Sequence, residues 1–129
     1  MKEKRSYVRL NMPMEIVCSF QENKEDNIYA VGQDISLGGV RILIDRKLGV
    51  GTILELKMTL SFFAAPIIVF AEVVWQQDKS REISNHYETG LRFIKINIQN
   101  KKRIKEALII SISEILKKLD RTVIDEKQE

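Results

Sequence analysis

Gln33-Asp34-Ile35-Ser36-Leu37-Gly38-Gly39-Val40 separates two runs that read as strands, Asn27 to Asp34 and Gly39 to Ile44. The chain is expected to reverse here, because Asp34 and Ser36 can bond nearby backbone and Gly38 and Gly39 supply positive φ. A bare turn accounts for one glycine and one aspartate. It does not account for Asp, Ser and a Gly-Gly pair on so short a span. Asp34 and Ser36 stand two apart, so in extended chain they face the same way. A residue without Cβ at position 39 admits a ligand or another backbone. The stretch therefore sets an acceptor, a hydroxyl and open backbone side by side within a hairpin.

Outward from the hairpin the two-residue period continues. Further strands are predicted at Met14 to Phe20 after Pro13, which suits a strand start, and at Thr52 to Leu60, Ile67 to Gln76 and His86 to Ile96. Leu54, Leu56, Met58 and Leu60 alternate with Glu55, Lys57 and Thr59, the pattern of a half-buried antiparallel strand. The same spacing puts Ile67, Val69, Ala71, Val73 and Trp75 on one face, so Trp75 reads as a core residue. Gly90 inside the last strand marks a bulge or a close approach. Phe62 and Phe63, in a connection, form either a barrel plug or a partner surface, and the plug is preferred.

From Asn100 the period becomes helical. Ile104, Leu108, Ile112, Ile115, Leu116 and Leu119 make one stripe on a helix of residues 100–120, with Asn100 as N-cap. Six short strands and one terminal helix predict an all-β, six-stranded antiparallel barrel with a C-terminal helix packed on it. The chain divides into a flexible basic arm (1–9), the barrel (10–98), the helix (99–120) and a polar, frayed tail (121–129).

Composition narrows the function. A chain of 129 residues with net charge +3 fits one domain and an anionic ligand. The single cysteine, Cys18, excludes a disulfide framework and is expected to be buried. Met1 to Arg5 is charged with no secretory apolar region behind it, and the longest apolar run, Phe62 to Ala71, is too short to span a bilayer. A cytoplasmic protein without membrane insertion is expected. The one histidine, His86, is expected to face solvent. No nucleophile has a motif-placed base, no carboxylates have metal-binding spacing and no phosphate loop of the Walker or dinucleotide type occurs. An enzyme and a metal cofactor are therefore not expected.

Near the N-terminus, Arg5-Ser6-Tyr7-Val8-Arg9 carries two arginines four apart. A planar guanidinium can grip a phosphate or the O6/N7 edge of guanine. Arg-x-x-x-Arg followed by Asp-x-Ser-x-x-Gly resembles the PilZ family, which binds the bacterial second messenger cyclic di-GMP. Ala71-Glu72-Val73-Val74-Trp75 and Gly90-Leu91-Arg92-Phe93 resemble its later strands. The resemblance covers about residues 4–120 and implies a PilZ-type barrel. It implies ligand-binding roles for Arg5, Arg9, Asp34, Ser36, Gly38 and Gly39. The arginines would take Hoogsteen edges and phosphates, and Asp34 would accept the guanine N1–H and N2–H₂ donors. Secondary contacts would come from Lys4, Trp75, Arg41 and Arg92, although Arg41 and Arg92 also read as solvated surface. The implied function is a receptor whose arm changes conformation with ligand and signals to an unidentified effector protein. Two alternatives are a small basic barrel for single-stranded nucleic acid and a ligand-independent adaptor. Most aromatics fall on core-facing positions, which disfavours the first, and the intact motifs disfavour the second. DNA or RNA partners are not expected.

Overall fold

The computed structural model describes residues 9–23, 25–60, 63, 65–82 and 86–127; the side chains of Pro13 and of residues 121–127 lie outside that description. The expected barrel is present. Its strands are β1 (Leu10–Phe20), β2 (Asn27–Ile35), β3 (Gly39–Ile44), β4 (Ile53–Thr59), β5 (Ile67–Asp78) and β6 (Tyr87–Lys95), followed by helix α1 (Ile98–Lys127). All pairings are antiparallel, in the closed order β1-β2-β3-β6-β5-β4. β1 closes the ring against β4, from Glu15 opposite Thr59 to Phe20 opposite Leu54, so the barrel has no open edge.

The inward rows follow from alternation. Leu54, Leu56 and Met58 from β4, Ile67, Val69, Ala71 and Val73 from β5, and Val40, Ile42 and Ile44 from β3 are all buried. Four register shifts interrupt that alternation, and three of them shape the face that carries the groove. On β1, Met12 and Pro13 together oppose Gln33; on β2, Gln33 is the extra residue between Gly32 opposite Ile42 and Asp34 opposite Arg41. Pro13 thus sits at a bulge within β1 rather than at a strand start, where its missing N–H breaks no regular ladder. The slip leaves Ile35 in the core and turns Asp34 outward beside Arg41. On β5, Val73 opposes Leu91 and Trp75 opposes Gly90, so Val74 is extra. The strict period that made Trp75 a core residue fails at this bulge: the indole is 40% exposed on the outer face.

The helix differs from expectation at both ends. Asn97, not Asn100, caps it: its Oδ1 accepts from the Asn100 N–H at 2.7 Å. At the far end the helical backbone continues through Lys127, including residues 121–127 of the expected tail. Its first turns are anchored to the barrel. Asn100 Nδ2 donates to the Ile68 carbonyl at 3.0 Å, Arg103 donates to the Pro66 and Ala65 carbonyls, and Ile104, Ala107 and Leu108 are buried. Further along, Ile115, Leu116 and Leu119 are exposed, so only the start of the expected stripe packs on the barrel. Phe63 packs against the core beneath the Arg103 guanidinium, 4.8 Å from its ring centre, in keeping with a plug; Phe62 lies outside the described residues. His86 is half-buried rather than solvent-facing. Among the described residues no helix is long and apolar enough to cross a membrane.

Cys18 is fully buried on β1, and desolvation pushes its thiol up to about 12. The thiolate is the reactive form, so a thiol reagent at pH 8 should leave the folded protein unlabelled and modify it fully in denaturant. Rapid labelling of the native protein would contradict this placement.

Candidate functional site

The site is built around a tight reversal. The Ser36 N–H donates to the Gly39 carbonyl at 2.9 Å, and the Gly38 N–H donates to Ser36 Oγ at 3.2 Å. Ser36 is 2% exposed, so its hydroxyl serves the turn rather than standing open to a ligand. The Phe93 N–H donates to the Gly38 carbonyl at 2.9 Å, tying the turn to β6. Gly39 does not take the left-handed backbone expected of it; the glycine with positive φ is Gly51, at 94°. Glycine is needed at 39 because a Cβ there would run into the Leu91 carbonyl oxygen. The close neighbour that the sequence suggested is therefore the β6 backbone.

One pair further from the turn, Asp34 and Arg41 face each other across the hairpin. Arg41 donates to Asp34 Oδ2 through Nε at 2.7 Å and lies 2.6 Å from it through Nη2. Arg9, at the foot of β1, donates to the other oxygen, Oδ1, through Nε at 2.9 Å and Nη2 at 2.6 Å. The carboxylate thus joins two guanidiniums, each by two nitrogens, at a nearly buried position. Arg41 Nη1 also donates to Glu88 Oε2 at 3.1 Å. Arg41 is therefore held by two carboxylates and is not the solvated surface residue that alternation suggested. Arg92, also on the outer face of β6, is mostly exposed and pairs with Glu72.

Trp75 completes the wall. A Cβ at Gly90 would collide with the Trp75 indole, so the ring lies directly on that stretch of backbone. Arg9, Asp34, Gly38, Gly39, Arg41, Trp75, Glu88, Gly90 and Arg92 line one groove of about 760 Å³. Most of the expected residues therefore converge, while Lys4 and Arg5 lie outside the described residues. Sequence reasoning missed Glu88 and the ion-pair role of Arg41. The Arg41 signal was available: counting outward from a turn closed by Ser36 and Gly39 pairs Ile35 with Val40 and Asp34 with Arg41. Glu88 carried no such signal, because its approach depends on how β6 registers with β3. Among the described residues no cluster of His, Cys, Asp or Glu is arranged to hold a metal ion.

This fold corresponds to a known protein class. The family model for the PilZ domain matches residues 3–109, and the chain belongs to that family. Among curated proteins no sequence matches it. Solved structures with the same fold include the Bacillus subtilis inhibitor of motility MotI/DgrA, with TM-score 0.71 and 19% identity over 88% of this chain and 53% of that one. Escherichia coli YcgR, solved in complex with cyclic di-GMP, superposes with TM-score 0.75 and 15% identity over 93% of this chain and 51% of that one. The isolated PilZ domain of YcgR with cyclic di-GMP gives TM-score 0.67 and 16% identity over 92% and 98% of the two chains. The chain thus spans about half the length of MotI/DgrA and of full YcgR. No enzymatic family is indicated.

The two glycines should respond differently to substitution. Gly39→Ala pushes a methyl into backbone and should cost about 2 kcal/mol or more. Gly90→Ala meets a side chain that can swing away, so it should cost less while displacing Trp75. Urea denaturation followed by circular dichroism compares them; equal stabilities for Gly39→Ala and wild type would remove the close-approach argument.

Proposed function

We propose that this domain is a non-catalytic cyclic di-GMP receptor that binds its ligand in the groove. The observation that carries this is the convergence of the Arg9, Arg41 and Arg92 guanidiniums and a half-exposed indole on one outer face. Cyclic di-GMP presents two phosphodiesters and two guanines. Guanidiniums suit the phosphates and the O6/N7 edges, and a flat aromatic suits a purine face. Arg5 and Lys4 would add cations from the N-terminal segment. A single-stranded nucleic acid would want a row of exposed aromatics, whereas beside Trp75 the groove's other aromatic, Phe93, is half-buried against the core.

Asp34 enters this reading in a more specific way than as a waiting acceptor. A carboxylate has roughly four lone-pair sites, and Arg9 and Arg41 together engage both of its oxygens. Guanine donors can reach it only as arginine bonds are released. Binding is then an exchange: arginine forks turn from Asp34 to the phosphates and guanine edges, and Asp34 takes guanine N–H groups in return. Ser36, Gly38 and Gly39 hold the turn that sets Asp34 and Arg41 opposite each other. We place the protein in the cytoplasm with an effector protein as its downstream partner. Ordering of residues 4–8, ahead of the already anchored Arg9, against the barrel creates the surface that the effector reads.

Isothermal calorimetry tests the reading. Cyclic di-GMP should bind at low micromolar strength or better, and GTP and single-stranded DNA should bind far more weakly. A bidentate arginine–guanine contact is worth about 1–3 kcal/mol, so Arg9→Ala should weaken binding by about ten- to a hundredfold. Unchanged affinity in both Arg9→Ala and Arg5→Ala would remove the site assignment.

Asp34→Asn should be milder than Asp34→Ala, because it keeps one carbonyl acceptor and still fills the space between the arginines. Equal losses in the two variants would mean that charge alone matters there. Amide hydrogen exchange over residues 4–8 should slow on addition of ligand; identical exchange with and without it would leave a binder lacking this switch.

A further inference from the structure

The second half of α1 presents an apolar face that the barrel does not cover. Ile104 and Leu108 are buried, but Ile115, Leu116 and Leu119 further along the stripe, and Ile109 beside it, are 49–57% exposed. At 1.5 Å per residue a helix of this length extends about 45 Å, and its barrel anchors lie in its first turns. Isolated helical segments are marginal in water, and most helices draw their stability from a packed apolar face. The barrel is closed, so a partner cannot add a strand to it. The second half of the helix thus has an apolar face without a packing layer.

Charge selects the occupant. Residues 98–106 hold Lys101, Lys102, Arg103 and Lys105 against Glu106 alone, whereas the last helical residues, 120–127, hold Asp120, Asp125 and Glu126 against Arg121 and Lys127, a small acidic excess. The helix is therefore basic at its start and acidic at its end. A second identical helix laid antiparallel puts each basic end beside an acidic one and opposes the two helix dipoles. Parallel pairing would set like charges together. Antiparallel two-fold pairing centred near Glu114 also matches Ile112 with Leu116 of the second copy, and Ile109 with Leu119. We propose that the second half of α1 is a self-association surface, which pairs antiparallel with the same helix of a second copy of this chain. The pairing is independent of ligand and of the groove.

Sedimentation equilibrium of the full chain, without cyclic di-GMP, tests it. The protein should dimerise, and Leu116→Glu should weaken the dimer at least tenfold while circular dichroism shows an unchanged fold. Ile115→Asp is a second probe of the same face. Orientation is read by charge reversal. Lys101→Glu with Lys102→Glu should weaken the dimer, and adding Asp125→Lys with Glu126→Lys in the same chain should restore it. A monomer at every concentration would overturn the proposal and leave the face to a different protein or to a lipid surface. A dimer untouched by Leu116→Glu and Ile115→Asp would also overturn it. Failure of the second pair of reversals to restore association would overturn the antiparallel arrangement.

Discussion

The groove depends on one carboxylate. Asp34 is nearly buried and holds Arg9 through one oxygen and Arg41 through the other. Two guanidiniums that close together would repel one another without an anion between them. With it, strand β1, the β2–β3 hairpin and, through Glu88, strand β6 are tied into one charged layer. Buried charges of this kind are weak stabilisers, because desolvation offsets much of the attraction. What the arrangement supplies is orientation. It holds two planar forks side by side above the barrel wall, where their remaining N–H groups can meet an anion without first being ordered.

Bulges on β1, β2 and β5 shape that face, and they also mark where the sequence stops being legible. Strand order along the chain, the inward rows of β4 and β5, and the hairpin around Ser36 and Gly39 were all readable from a period of two and from turn chemistry. Trp75 was not, because Val74 adds one residue against β6 and reverses the face of everything after it. A bulge is a property of paired strands, and a single strand's alternation carries no mark of it. The same holds for Gly39. Its missing Cβ was visible, but the neighbour that requires it, the Leu91 carbonyl, is brought there only by β3–β6 register. The helix shows the opposite limit. Its apolar stripe was evident, yet periodicity does not say where the barrel beneath it ends.

The fold keeps stability and recognition on different sides of the same strands. In β3, Val40, Ile42 and Ile44 fill the core while Arg41 faces the groove. In β6, Leu91 points inward while Glu88 and Arg92 lie outside. Ring closure satisfies the backbone all round, so the outer side chains are not needed to protect an edge. An alternating strand therefore lets the groove carry a network of paired charges without placing any of them in the apolar interior.

The bulge at Val74 has an optical consequence. The chain contains one tryptophan, and it rests half-exposed on Gly90 in the groove instead of in the core. Its ultraviolet emission therefore reports the polarity and occupancy of the groove, with no second indole to mask it. A purine laid on that ring would quench it, whereas melting of the barrel would change it comparatively little, since the indole already meets water in the native state. In most small domains tryptophan emission follows the core. Here it follows the surface on which the ligand is proposed to sit.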